Sequence, residues 1–152
     1  MRQVDKVSKL KLLEIINRLK FFRTFSLDER RILLEDRLEV YFCKKNFRVF
    51  REGEIDATFY LVLSGKVNIV QTQKNRILGT VGAGDFLGEG AFITQGPRSA
   101  SAVAYEDALL LRLDIAALRS LSAATREKLK DAIIAGMAQR IVELNERLQA
   151  LV

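Results

Sequence analysis

A mainly β fold with flanking helices, an eight-stranded, jelly-roll-like β-roll set between an N-terminal helical bundle and a long C-terminal helix, is predicted by three features of this 152-residue chain. Apolar residues recur at helical spacing near both ends, they alternate with a period of two through the middle, and turn residues cut that middle into short, evenly spaced runs. Many short strands between turns are the mark of a sandwich or barrel. A single domain over residues 1–152 is expected, helical in 1–37, a β-roll in 38–113 and helical again in 114–152.

Residues 6–22 read as the first helix, with Val7, Leu10, Leu13, Ile16 and Leu19 in one stripe that Leu12 and Ile15 widen. Ser26-Leu27-Asp28-Glu29 opens a second helix ending near Asp36, because Ser26 can bond the free amide of Glu29 while Glu29 reaches back. From Leu38 the period becomes two: Leu38, Val40 and Phe42 against Glu39 and Tyr41, then Phe47 and Val49 against Arg48, then Thr58 to Leu63. Ser64-Gly65 turns the chain into Lys66–Gln71, Lys74-Asn75 turns it into Ile77–Val81, and two further strands run Ala100–Tyr105 and Ala108–Leu113. Asp114 caps a short helix, and Ser122 or Thr125 opens the last one. Along that helix Ile134, Met137, Ile141, Leu144, Leu148 and Leu151 step by three and four residues, the spacing of a coiled-coil seam through which a homodimer could form.

Composition removes several classes of function. The chain has no histidine and one cysteine, Cys43, so the usual zinc, haem and iron-sulfur ligand sets cannot be assembled within it, nor can Ser-His or Cys-His nucleophile pairs. A non-enzyme without a cofactor is expected. A lone cysteine fits a reducing compartment, no apolar run is long enough to span a membrane, and no signal-like block opens the chain, so a cytoplasmic location is expected. The net charge of +6 is uneven: residues 1–51 hold fourteen Lys and Arg against seven Asp and Glu. Such a segment can meet nucleic acid or anionic lipid, or can simply be a solvated face.

The densest chemistry lies in Phe86–Ala102. Gly88 and Gly90 let the backbone approach a ligand closely, and the amides opening the next helical turn are free donors for an anion. Arg98 offers a planar fork that matches two phosphate oxygens. Glu89 would repel a phosphate unless it faced a sugar hydroxyl instead, so a phosphorylated ribose satisfies all three groups. The competing reading is a structural ion pair between Glu89 and Arg98. Gly82-Ala83-Gly84-Asp85-Phe86-Leu87-Gly88 is no dinucleotide-binding loop, since its third glycine is one position late and no βαβ unit surrounds it.

Gly88-Glu89-Gly90-Ala91, six residues, then Arg98-Ser99-Ala100 resembles the phosphate-binding cassette of the cyclic nucleotide-binding domain family, which includes catabolite-activator-type regulators, protein kinase A regulatory subunits and cyclic-nucleotide-gated channels. Arg51-Glu52-Gly53-Glu54, Phe59-Tyr60-Leu61-Val62, Leu63-Ser64-Gly65-Lys66-Val67 and Gly82-Ala83-Gly84-Asp85-Phe86 extend the resemblance over roughly Leu19 to Leu151. It implies a sensor for cAMP or cGMP in which the ligand moves the C-terminal helix. Glu89 would accept from the ribose 2′-hydroxyl, Arg98 would neutralise the cyclic phosphate, the amides of Gly90, Ala91 and Ala100 would complete the oxygen contacts, and Ser99 would add a hydroxyl. Arg126, Lys130 and Ile134 are candidates for a lid over the base. Gly90 stands where the family usually has a larger apolar residue, and Asn46 where a turn glycine is common. A second copy or an unidentified effector protein would read the helix movement. The absence of a helix-turn-helix after the long helix argues against direct DNA binding. Alternatives are a ligand-free scaffold or protein-interaction domain, and the regulatory module of a channel, transporter or transcription-regulator assembly.

Overall fold

A computed structural model describes residues 1–4, 8–36 and 39–152. Its described residues form nine strands in two antiparallel sheets with five α-helices around them. Eight strands make the roll: β2 Glu39–Cys43, β3 Arg48–Phe50, β4 Thr58–Ser64, β5 Val67–Gln71, β6 Arg76–Val81, β7 Phe86–Leu87, β8 Ser101–Ala104 and β9 Ala108–Asp114. A ninth, β1 Arg2–Gln3, lies where a helical segment was expected, pairing with Phe42 and Tyr41 at the edge of the five-stranded sheet β1-β2-β9-β4-β7. The other sheet runs β3-β8-β5-β6.

The five-stranded sheet is covered on both faces, and β4 shows it. Phe59, Leu61 and Leu63 join the helices in one buried cluster, while Tyr60 and Val62 face Val67, Ala102 and Leu110 inside the roll. A strand covered on both sides has no polar face to present, so Thr58–Leu63 reads as an unbroken buried run. Phe47, expected in the alternation with Val49, is instead exposed, because it belongs to the turn before β3.

The helix expected over residues 6–22 is α1 Lys9–Arg18 followed by a 3-10 turn, Lys20–Phe22. Leu19 takes an extended conformation between them and swings Phe21 and Phe22 onto the sheet. Its buried residues are Leu12 and Ile16, with Ile15 and Leu19 alongside, whereas Leu10 is 69% exposed. A three-residue step falls short of the 3.6-residue turn and drifts around the helix, so the four-residue pair dominates the buried face. Val7 and Leu38 lie outside the described residues. The capping box is present: in α2 Leu27–Asp36, Glu29 N–H donates to Ser26 Oγ at 3.1 Å and Ser26 N–H to Glu29 Oε1 at 2.9 Å.

Asp114 caps α4 Ile115–Ser120 by accepting from the Ala117 amide at 2.7 Å, and Ser122 caps α5 Ala123–Ala150. The first half of α5 buries Thr125, Leu129 and Ile133. Lys128 adds an ion pair with Glu29 of α2 at 2.5 Å, which holds the Glu29 carboxyl down to about 2. Beyond residue 140 every residue of α5 is exposed, and of the expected seam Ile134, Ile141, Leu144, Leu148 and Leu151 all face solvent while Met137 packs against the core. No helix among the described residues is long and apolar enough to cross a membrane.

Candidate functional site

The chain leaves the five-stranded sheet at β7, turns at Gly88 and enters α3 Glu89–Thr94, which stops where Gln95 takes a left-handed conformation. Gly88 has φ +83°, and a Cβ there would sit 2.7 Å from Arg98 Nη1, so both backbone and space require glycine. The return loop is tied to the turn after β3: Arg98 N–H donates to Glu54 O and Gly53 N–H to Arg98 O, each at 2.8 Å. These two bonds fix the Arg98 backbone, and its side chain runs inward beneath Gly88.

Arg98 is a buried cation, only 3% exposed. Nη1 donates to Gly88 O at 3.1 Å and Nη2 to Thr58 Oγ1 at 2.8 Å, while the Thr58 hydroxyl donates to Asp56 Oδ2 at 3.1 Å. The guanidinium carbon lies 4.2 Å from the centroid of the Phe50 ring. Its ion pair with Asp56 is long, 3.9 Å, and the Asp56 side chain is half open to water. Nε is buried without a partner among the described residues. Burial pulls the Arg98 pKa below the usual arginine value and Asp56 opposes it, yet a guanidinium stays charged throughout the ordinary pH range. The pocket therefore contains a positive charge whose counterion is distant and one of whose donors is unused.

Glu89 does not pair with Arg98. Its Oε1 accepts from Nη1 of Arg140 on α5 at 2.6 Å, and Nη2 of Arg140 bonds Asp85 Oδ1 at 2.9 Å and the Phe86 carbonyl. The Arg140 guanidinium also lies 4.4 Å from the Phe86 ring centroid. Gly136, one turn earlier, lets α5 approach, since a Cβ there would overlap the Phe86 ring.

All seven expected site residues, Gly88, Glu89, Gly90, Ala91, Arg98, Ser99 and Ala100, line one pocket of about 260 Å³. Phe50, Ile69, Val81 and Leu87 supply an apolar floor, and Arg140 closes one side. The lid candidates fail: Arg126, Lys130 and Ile134 do not line it, because they lie in the part of α5 before the helix reaches the cassette. Arg140, Thr58, Asp56 and Phe50 were not read from the sequence. For Arg140 a signal existed, since a mid-helix glycine is costly and Gly136 shares its face with the residue four positions on. Asn46 takes the left-handed conformation expected of it, with φ 74°.

Comparison with known proteins agrees with this geometry. The family model for the cyclic nucleotide-binding domain matches residues 42–125, more than half of the chain. A cyclic AMP receptor protein of Thermus thermophilus is 43% identical over 68 residues, covering 43% of this chain and 32% of that protein. The human cGMP-dependent protein kinase 2 is 31% identical over 96 residues, covering 57% of this chain and 13% of the kinase. The match thus spans well under half the length of either relative. The crystal structure of a cyclic nucleotide-binding domain from Methylobacillus flagellatus superposes with a TM-score of 0.81 at 28% identity, covering 95% of this chain and 84% of that one. With roll, cassette and family match in agreement, the chain belongs to the cyclic nucleotide-binding domain family.

Proposed function

We propose that the chain is a cyclic nucleotide sensor that binds cAMP or cGMP in the cassette pocket and transmits occupancy through α5. The observation that carries this reading is the buried Arg98 guanidinium, facing a pocket with a distant counterion and an unused Nε donor. A cyclic phosphate supplies the missing negative charge and acceptors. Glu89 then takes the ribose 2′-hydroxyl, for which Oε2 is available beside the oxygen that Arg140 holds. The amides of Gly90, Ala91 and Ala100 and the Ser99 hydroxyl complete the phosphate contacts, and the apolar floor receives the base. Both messengers are in play, since one relative is a cyclic AMP receptor and another a cGMP-dependent kinase.

Arg140 gives the coupling a physical basis. A ligand sharing Glu89 with Arg140 stabilises the arrangement in which α5 lies over the cassette, and the population shift is limited to the ligand's preference for that arrangement. The exposed stripe Ile134, Ile141, Leu144, Leu148 and Leu151 would join a second copy or an effector protein that reads the helix. Replacing Ile141 and Leu148 by Glu should convert a dimer to monomer in sedimentation velocity, and a wild-type monomer at high concentration removes the homodimer.

Calorimetric titration of refolded, nucleotide-free protein with cAMP and then cGMP tests the binding. Saturable heat with one of them is expected. No heat with either removes the sensor and leaves the ligand-free scaffold.

A further inference from the structure

The basic first third of the chain includes a surface that nucleotide binding leaves unused. Three turns meet at one end of the roll: residues 44–47 between β2 and β3, 65–66 between β4 and β5, and 105–107 between β8 and β9. They are bonded into one rim. Asn46 N–H donates to Ala104 O at 2.8 Å, Ala104 N–H to Phe47 O at 2.9 Å and Tyr105 N–H to Lys66 O at 2.8 Å, and the Lys45 amide donates to the Asp107 carboxylate at 2.8 Å. Gly65, with φ +85°, is pressed so closely on Asp107 and Ala108 that a Cβ would collide with their backbone.

This rim carries exposed cations and exposed aromatics together. Lys44, Lys45, Arg48 and Lys66 are all exposed, Phe47 is 58% and Tyr105 55% exposed, and Arg2 lies over the neighbouring Phe42 ring. Of the two acidic residues present, Glu106 and Asp107, the latter is engaged by the Lys45 amide. Aromatic rings projecting from tight turns among lysines suit a broad interface that is negatively charged at its surface and apolar beneath. β8 leads from Ala100 in the cassette pocket to this rim, roughly 13 Å at strand rise, so the pocket stays open while the rim is engaged.

We propose that this rim docks the protein on an anionic membrane surface, with Phe47 and Tyr105 entering the headgroup layer and the lysines lying over acidic lipid. Docking holds the cassette pocket away from the membrane and needs no nucleotide.

Co-sedimentation of the full chain with vesicles tests this, using phosphatidylcholine alone and phosphatidylcholine with about a third phosphatidylserine. Binding is expected only with the acidic lipid. Lys44→Gln with Lys45→Gln should weaken it about 25-fold, roughly five-fold per lysine, and Phe47→Ser about ten-fold. These side chains make no hydrogen bond among the described residues, so circular dichroism should report an unchanged fold. The control is Lys74→Gln with Arg76→Gln, which removes the same charge at the exposed hairpin on the opposite end of the sheet and should leave binding unaltered. Equal sedimentation with both vesicle types, an equal loss in the control, or retention on single-stranded DNA without vesicle binding would overturn the proposal.

Discussion

Arg98 and Arg140 line the same pocket, one from the roll and the other from α5, and they differ in how far their charge is already neutralised. Arg98 belongs to the roll: it is almost fully buried, and its side-chain hydrogen bonds go to a carbonyl and a hydroxyl, with its carboxylate 3.9 Å away. Arg140 belongs to α5: it is partly open to water and sits between two carboxylates at 2.6 and 2.9 Å. In the proposed sensor the first would be a fixed wall with unmet demand for an anion and the second a movable wall, already satisfied by the protein. In the sensor proposed above, ligand recognition would belong to Arg98 and the mechanical response to Arg140.

If that division is right, Arg98→Leu should have the largest effect. Removing one partner of a buried, hydrogen-bonded charge pair costs roughly 2 to 5 kcal/mol, about 30-fold to several thousand-fold in affinity. Calorimetry should show nucleotide binding abolished or reduced within that range. Undiminished binding would mean that Arg98 is a structural cation and the phosphate lies elsewhere.

In that reading the movable wall needs a fixed pivot, which the Lys128–Glu29 pair would supply. Glu29 caps α2 with one part of its bonding capacity and pairs with α5 through the rest, since Thr125 Oγ1 and Lys128 both donate to it. The bond from Lys128 is the main reason its carboxyl is held at about 2 rather than 4.5. A carboxyl depressed by folding stabilises the fold while ionised, so this contribution is complete above about 4.5 and is lost as pH falls toward about 2. Glu29→Gln should cost about 1 to 2 kcal/mol near neutral pH, and its deficit against wild type in denaturant melts should shrink on acidification through that window. A deficit independent of pH would show that Glu29 acts through shape alone.

Arg140→Gln should act more mildly. It removes the partly exposed ion pairs with Glu89 and Asp85, of which the Glu89 pair that holds α5 at the cassette is worth about 1 kcal/mol, so nucleotide affinity should fall about five-fold. Hydrogen exchange gives the sharper reading: ligand should protect residues 138–150 in wild type and fail to do so in the variant. Unchanged affinity together with unchanged protection would remove Arg140 from the coupling.

The two walls also differ in how they could be read beforehand. The fixed wall is contiguous in sequence, because a turn, a short helix and a return loop bring Gly88 to Ala100 together over thirteen residues. Residue types and spacing were enough to gather it. Thr58 and Asp56 reach Arg98 only through the pairing of β4 with β7 and β9, and Arg140 reaches Glu89 across fifty-one residues. Such contacts depend on where a helix lands on a sheet, which periodicity does not encode. The roll was legible for the same local reason, through turns and alternation. Failures came where a single extended residue, Leu19, broke a helical pattern, and where two residues, Arg2 and Gln3, formed a strand only by adding to an edge.

Gly90 is the softest point of the fixed wall and gives the smallest predicted effect. It lies within α3 at an exposed position, its φ is not in the left-handed region, and a Cβ there would meet nothing within 4 Å. Gly90→Ala should then stabilise the fold by about 0.5 to 1 kcal/mol through lower entropy of the unfolded chain, visible as a rise in Tm of about 2 °C. Because the added methyl would meet nothing within 4 Å and the Gly90 amide is kept, nucleotide affinity should stay within about two-fold. A rise in Tm with a clear loss of binding would locate the ligand in that open space, over α3 itself, and would move the recognition surface from the Arg98 side of the cassette to its rim.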